Sequence, residues 1–383
     1  MTRRRVAGWW RRLYAMTRKE VLQLGRDLPL LLFLLYSFSL SAYISGVGIT
    51  MQLRQADVAV LDGDHSRSSR ELIHRLQPPY FRVQGELADA REGARRLDEG
   101  RTMVVLDIPP RFHEALLRRE PMAVQLQVDT TNAPQGLSAA SYATRIVSGF
   151  GTEAALASLG VSSLSAGVPM VTSAHRVWFN PNQDETWFQS ISHLLRMITV
   201  FAVLLPAAAL VREKERGTVE QLLVSPVTPL QVMLSKVLAM TGVIVGCTAL
   251  ALYGVLRPVF QVPMKGQAWV FFGLTALYSF TTAGVGLAAA TISRNQAQVG
   301  MLTLLVVAPM LLLSGMTTPY ESMPEWVRAL MVVSPLRYYI DITYGVLLKG
   351  AGFDTLWRPV AAMSSLGASM FCIGMWRFRK QFE

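Results

Sequence analysis

Charge is scarce in this sequence: 16% of its 383 residues are Asp, Glu, Lys or Arg, against 51% that are hydrophobic. A water-soluble domain of that composition would be unusual, so a large part of the chain must be solvated by lipid. Cysteine is scarcer still. Cys247 and Cys372 both fall inside apolar runs, which argues against a disulfide framework or a cysteine-based metal site and leaves them as packing residues. No Gly-Lys dipeptide occurs, so there is no phosphate-binding loop of the GxxxxGK[ST] kind. His113-Glu114 lacks the second histidine that a zinc helix needs one turn on, where Leu117 stands. Asp62-Gly63-Asp64 opens like a calcium loop, but Arg67 occupies its glycine position and Ile73 its bidentate position, which leaves a turn after a strand. With no convergent acid, base, nucleophile or ligand set, the chain is not expected to be an enzyme, and no catalytic residue, cofactor or metal is assigned to it.

What charge there is gathers into blocks between long apolar runs. The net charge of +11 is densest at the amino terminus, in Arg3, Arg4, Arg5, Arg11, Arg12, Arg18, Lys19 and Arg26. Beside an apolar run such a block reads as a contact with lipid headgroups on the cytoplasmic side; nucleic acid is the competing reading of a basic arm and is not expected as a partner here. Six runs are apolar enough to predict transmembrane helices: 28–49, 194–211, 237–256, 268–292, 299–316 and 360–375. The first is too long for the apolar region of a cleaved signal peptide, so an uncleaved anchor is favoured. The basic residues of the amino terminus, of 212–236, Arg294, and the tail Arg377, Arg379 and Lys380 fall on one side, which the positive-inside rule makes the cytoplasm. Both termini are then inside, in a bacterial inner membrane, and 50–192 is outside together with 257–267 and 317–358.

Before the first span, Trp10, Leu13, Tyr14, Val21 and Leu24 recur at helical spacing, apart from most of the basic residues. Residues 1–27 are therefore expected to form an amphipathic helix in the plane of the interface, with a plain cytoplasmic extension of the first span as the alternative. The outer segment 50–192 reads as an α/β domain. Strands are predicted at 56–61, 80–84, 102–107 and 124–129, helices between them at 66–76, 87–99 and 110–119, and at least partly parallel pairing follows from that alternation. A longer helix from 136 to about 159 then leads toward the membrane, with a hinge or loop at 160–167.

The densest signals lie in 212–230. Thr218 with Gln221 is spaced as a capping box, and Thr228, Pro229 and Gln231 repeat the pattern, so a short helix ended by Ser225-Pro226 is followed by a second that leads into the third span. A short charged helix held against a membrane suits the transmission of a push from a docked partner; a solvated loop would explain the charges but not the caps or Leu222 and Leu223. In 317–350, Pro319, Pro324 and Pro335 cut the chain into pieces too short to span. Arg337 and Asp341 are four apart, spaced to pair on one helical face. A loop packed on the outer domain is the alternative for this segment. Arg196 is the one charge near the outer end of the second span, with His193 a turn earlier; a functional role and snorkelling to the interface are equally good accounts of it.

The stretch Glu213-Lys214-Glu215-Arg216-Gly217-Thr218-Val219-Glu220-Gln221-Leu222-Leu223-Val224-Ser225-Pro226 resembles the coupling-helix signature of permeases of the ABC-2 exporter class. Val219 and Ser225 depart from the Leu or Ile and the Thr frequent there. Ser314-Gly315-Met316, Met323-Pro324-Glu325-Trp326 and Ser334-Pro335-Leu336-Arg337-Tyr338-Tyr339 resemble the segment before the last span of those permeases. Val60-Leu61-Asp62-Gly63-Asp64, Ile108-Pro109-Pro110-Arg111-Phe112 and Val128-Asp129-Thr130-Thr131-Asn132 are similar to the outer domain of the multidrug-efflux branch.

The resemblance implies two six-span subunits, identical or mixed, with two separate ATP-binding subunits that carry ATP and magnesium. These would dock on Glu213, Glu215, Gly217, Thr218, Glu220, Leu222, Leu223, Ser225 and Pro226. It also implies re-entrant helices over 317–350, with Gly315, Pro319, Pro324, Pro335, Arg337, Tyr338 and Asp341 as gate residues, and a path lined by the first, second and fifth spans. The expected function is ATP-driven export of an apolar or amphipathic small molecule, drug-like or lipid-like. The size of the outer domain allows a periplasmic adaptor if the bacterium has two membranes. A sensor that transmits movement and transports nothing is the rival reading.

Overall fold

The computed structural model of the chain describes residues 2–48, 55–158, 179–180, 184–217, 227–316 and 323–380. It divides into two compact units, residues 50–176 and the remainder.

The larger unit begins with helix α1 (Thr2–Gly25). Leu13, Glu20 and Leu24 of α1 are buried, while Trp10, Tyr14 and Val21 are exposed. The apolar residues expected on one face of this helix thus divide: one stripe packs against protein and an aromatic one is left uncovered. Asp27 caps the next helix by accepting from the Leu30 amide. The first apolar run is two helices, α2 (Leu28–Phe38) and α3 (Leu40–Gly48), broken at Ser39. Beside that break, His193 Nε2 lies 3.2 Å from the Ser37 carbonyl oxygen.

In the smaller unit, strands β1 (Ala56–Asp62), β2 (Phe81–Glu86), β3 (Val104–Ile108) and β4 (Gln125–Val128) alternate with helices α4 (Arg67–Arg75), α5 (Ala90–Asp98) and α6 (Phe112–Arg118). The sheet order is β2-β1-β3-β4; β1 runs parallel to both neighbours and β3 antiparallel to β4, the mixed pairing that the alternation predicts. Val58, Val60, Leu72, Phe81, Leu106 and Ile108 form its core, and α7 (Ala133–Ser158) covers it with Ala139, Ala143 and Phe150. Asp62-Gly63-Asp64 is a turn, as expected: Asp62 Oδ1 accepts from the Asp64 and His65 amides, both at 3.0 Å. The expected hinge at 160–167 lies outside the described residues.

The larger unit resumes at α8 (Glu185–Glu215), capped by Asp184 and about 46 Å long at 1.5 Å per residue. Thr228 and Gln231 form the expected capping box at the start of α9 (Pro229–Ala251), which ends in a π-helical turn at Leu252–Leu256. Then come α10 (Ala268–Ile292), α11 (Gln296–Leu312), α12 (Glu325–Met331), α13 (Pro335–Tyr344) and α14 (Phe353–Lys380). Among the described residues, five helical stretches are long and apolar enough to cross a membrane, by length and composition: 28–47, α8, α9 with its π-turn, α10 and α14. The run expected as a span at 299–316 forms α11 instead, a shorter apolar helix of 17 residues. It contains Pro309, and Gly315 adopts a left-handed φ of 85° just beyond it.

The spans pack on small residues. A Cβ on Gly286 of α10 would fall on the Val203 carbonyl oxygen of α8, so only glycine allows this approach. Gly286→Leu is therefore expected to force the two helices apart at a cost of about 1–3 kcal/mol. A lowered unfolding temperature in detergent would report it. Gly242→Leu on α9, where a Cβ would meet nothing within 4 Å, serves as the control that should stay near wild type.

Candidate coupling site

Three consecutive residues at the end of α8 reach four different helices. Glu213 binds Lys236 of α9 through Oε2 and Lys19 of α1 through Oε1, each at 2.9 Å. Lys214 Nζ donates to the carbonyl oxygens of Ala290 at 2.8 Å and Thr291 at 3.1 Å in the last turn of α10. Those groups lack helical partners, and an ammonium there is favoured by the negative end of the helix dipole. Glu215 Oε1 accepts from the amide of Gln296, the first residue of α11, at 2.8 Å, which is the complementary arrangement at a helix start.

Lys236 is the centre of the cluster. Its Nζ binds Glu20 Oε1 of α1 at 2.9 Å as well as Glu213. Only 1% of the Lys236 side chain is exposed, against 5% for Glu20 and 9% for Glu213. One buried cation shared by two buried carboxylates would leave a net negative charge, and Lys19, half exposed at the rim, balances it. Burial alone would lower the Lys19 ammonium, but the hydrogen bond and charge of Glu213, with Glu20 beside it, outweigh that and hold it above the ordinary lysine value. Gln231, part of the α9 capping box, also donates from Nε2 to the Trp9 carbonyl oxygen at 3.0 Å, and Arg212 pairs with Asp27 at 3.3 Å. The amino-terminal helix is thereby fastened to both α8 and α9. Next to the cluster a cavity of about 400 Å³ opens between α1, α2, α8, α9 and α11, with Glu20, Asp27 and Arg212 on its polar side and Phe33, Leu205 and Met240 on its apolar side.

Of the residues expected to couple, Glu213 and Glu215 are placed in this cluster. Gly217, at φ 64°, donates from its amide to Lys214 O at 3.1 Å and so closes α8 as the left-handed residue after it. Thr218, Glu220, Leu222, Leu223, Ser225 and Pro226 lie outside the described residues. So does Pro319 of the expected gate. The rest of that set is elsewhere: Gly315 follows α11, Pro324 precedes α12, Pro335 opens α13, and Arg337, Tyr338 and Asp341 sit on α13. What ties α13 to the spans is Tyr339, stacked on Tyr278 of α10 with ring centres 4.0 Å apart and both rings fully buried. Their hydroxyls bond to Thr275 and Thr199, each at 2.8 Å. Tyr278 precedes Ala290 by 12 residues of continuous helix, about 18 Å, so the segment expected as a gate and the cluster are separate places joined by α10.

Glu20 and Lys236 were not expected. The signal for both is register: Leu13, Glu20 and Leu24 share one face of α1, as Val232, Met233, Lys236 and Met240 share the buried face of α9. Among the described residues, the one group of three with metal-type ligand atoms close together is Asp62, His65 and Glu86. Both oxygens of Asp62 are already engaged, Oδ1 by two amides and Oδ2 by Ser69 Oγ at 2.7 Å.

The family model described as ABC-2 family transporter protein matches residues 28–376. The chain is 32% identical over 370 residues to the inner membrane transport permease YhhJ of Escherichia coli, covering 97% of each chain. It is 26% identical over 377 residues to the probable multidrug ABC transporter permease YbhR of the same organism, covering 97% of this chain and 99% of that one. To the probable multidrug ABC transporter permease YbhS it is 26% identical over 357 residues, 89% of each.

Proposed function

The chain belongs to the ABC-2 family of transporter proteins, a permease of the bacterial inner membrane, and from that premise we propose that it exports an apolar or amphipathic small molecule, powered by a separate ATP-binding subunit. The observation that carries this reading is the Glu213-Lys214-Glu215 cluster, which ties α1, α9, α10 and α11 to the root of the segment where a partner would dock. A movement imposed on 212–230 would reach four helices through hydrogen-bonded charges rather than dissipate in one. The path would change its access as those helices move together.

An amphipathic substrate fits the cavity beside the cluster, which sets an apolar wall against a polar one at the helix ends. A second copy or paralogue of the permease, or lipid, would cover Met301, Leu304, Leu305 and Leu312 of α11, which are exposed. In this reading six segments cross the membrane, α11 among them, both termini are cytoplasmic, residues 50–192 are external and open to a periplasmic adaptor, 317–350 is re-entrant, and ATP and magnesium belong to the partner.

The test is transport. Inverted vesicles holding the chain and its ATP-binding subunit are expected to accumulate a fluorescent amphipathic amine with hydrolysable ATP, and to accumulate none with a non-hydrolysable analogue. Hydrolysis without accumulation across a panel of such probes would replace the exporter with a sensor coupled to an ATPase.

A further inference from the structure

The other end of the larger unit carries basic residues that the transport reading does not use. Lys265 precedes α10 and Lys349 closes the π-helical turn Gly345–Lys349 after α13. Their ammonium groups lie 5.7 and 5.8 Å from the centre of one ring, Phe179. The backbone fixes this convergence. The amides of Lys265 and Gly266 donate to Leu347 O at 3.1 Å and Val346 O at 3.0 Å, and a Cβ at Gly266 would come 2.6 Å from that Val346 oxygen. Among the described residues neither lysine forms an ion pair, although Asp341 of α13 lies close enough for Lys349 to act on its carboxylate; Asp354, in the first turn of α14, is exposed.

Beside Lys265 a cavity of about 760 Å³ opens, far more than a small anion fills. Gly350 and Phe353 line one side of it, and Trp269, Val270 and Leu274 the other. Two helices start at this cavity, α10 at Ala268 and α14 at Phe353, and Gln267 caps α10 with no side-chain hydrogen bond. Amides at helix starts favour an anion, and here Lys265 lines the same cavity, with Lys349 next in the chain to its Gly350. Trp269 is 75% exposed at the rim, an aromatic placed where headgroup meets acyl chain.

We propose that Lys265, Lys349 and the start of α10 form a site for the phosphate of an anionic amphiphile, a phospholipid such as phosphatidylglycerol, whose acyl chains lie along Trp269, Val270 and Leu274. Cation–π contact holds each ammonium group near Phe179, and the cavity takes the glycerol backbone. Such a site would fasten the segment after α13 to the start of α10 through a lipid.

The full chain in phosphatidylcholine vesicles, titrated with phosphatidylglycerol brominated on its acyl chains, tests this. The Trp269 signal is the emission lost in Trp269→Phe. Each lysine near a headgroup is expected to contribute about fivefold, so quenching should favour phosphatidylglycerol over equally brominated phosphatidylcholine by roughly twentyfold. Lys265→Gln or Lys349→Gln should each remove about fivefold of that preference. The double variant should abolish it, and the double Lys→Arg variant, which keeps the charges and controls for folding, should retain it. Equal quenching by the two lipids in the wild type, or a preference that survives the double Gln variant, overturns the proposal. Inorganic phosphate in the bath separates the sources: no displacement identifies a lipid, whereas full displacement keeps the phosphate site and overturns the lipid as its occupant.

Discussion

Lys236→Met is expected to destabilise the larger unit by about 3–5 kcal/mol, the cost of leaving buried carboxylates without their cation. Glu20 and Glu213 each make a 2.9 Å contact to Lys236 Nζ, which is almost completely removed from solvent. Lys19 could not replace it, because its own contacts to the same two carboxylates come from the half-exposed rim. Removing the carboxylate charges in the same chain, as Glu20→Gln/Glu213→Gln/Lys236→Met, is expected to recover most of the loss, since no buried charge is then left unpaired and Lys19 stays solvated at the rim. Unfolding in detergent measures both variants. A single variant within 1 kcal/mol of wild type would mean that water reaches the cluster and that Lys236 is not its centre. The recovered triple variant then separates stability from coupling: a stable chain that no longer conveys substrate binding to the ATPase would show that the charges serve transmission rather than folding.

What could be read from the sequence is what short-range pattern encodes. The apolar runs gave their helices because about 20 residues without charge have few alternatives, and Thr228 with Gln231 gave a capping box because that device is contained in four residues. The strands from Ala56 to Val128 were legible through their alternation with helices. The break at Ser39 inside the first apolar run has no Pro or Gly to announce it. Glu20 and Lys236 are 216 positions apart, and nothing local distinguishes a lysine that orients a span from one that binds a carboxylate inside the protein. Lys236 counts toward the basic side in either role. Only its place on the buried face of α9 separates the two, and that face is defined by packing against α1. The aromatic stripe of α1 was legible, whereas the docking of its other face was not, since Glu20 interrupts the apolar pattern there for the sake of a partner on another helix.

Gly217→Pro is expected to abolish the response of ATP hydrolysis to substrate while leaving the chain in the membrane. Gly217 has φ 64°, and proline is confined near −65°, so the chain would leave α8 in a different direction just where 218–226 begins. The substitution also removes the amide that donates to Lys214 O. Lys214 is the residue that holds the end of α10, so the disturbance enters the cluster as well as the docking segment. Gly217→Asn is the informative companion, because asparagine tolerates the left-handed conformation and keeps the amide, and coupling should survive it. Glu220→Arg, which reverses a charge in the expected docking segment, should uncouple without touching the end of α8. Substrate-stimulated hydrolysis in proteoliposomes, with basal hydrolysis as reference, reads all three. Loss with Pro and Arg but not Asn would tie transmission to the direction of the chain and to a charged docking face. Unchanged stimulation in both the Pro and the Arg variants would remove 212–230 from the coupling role, and with it the reason for α8 to gather four helices at its end.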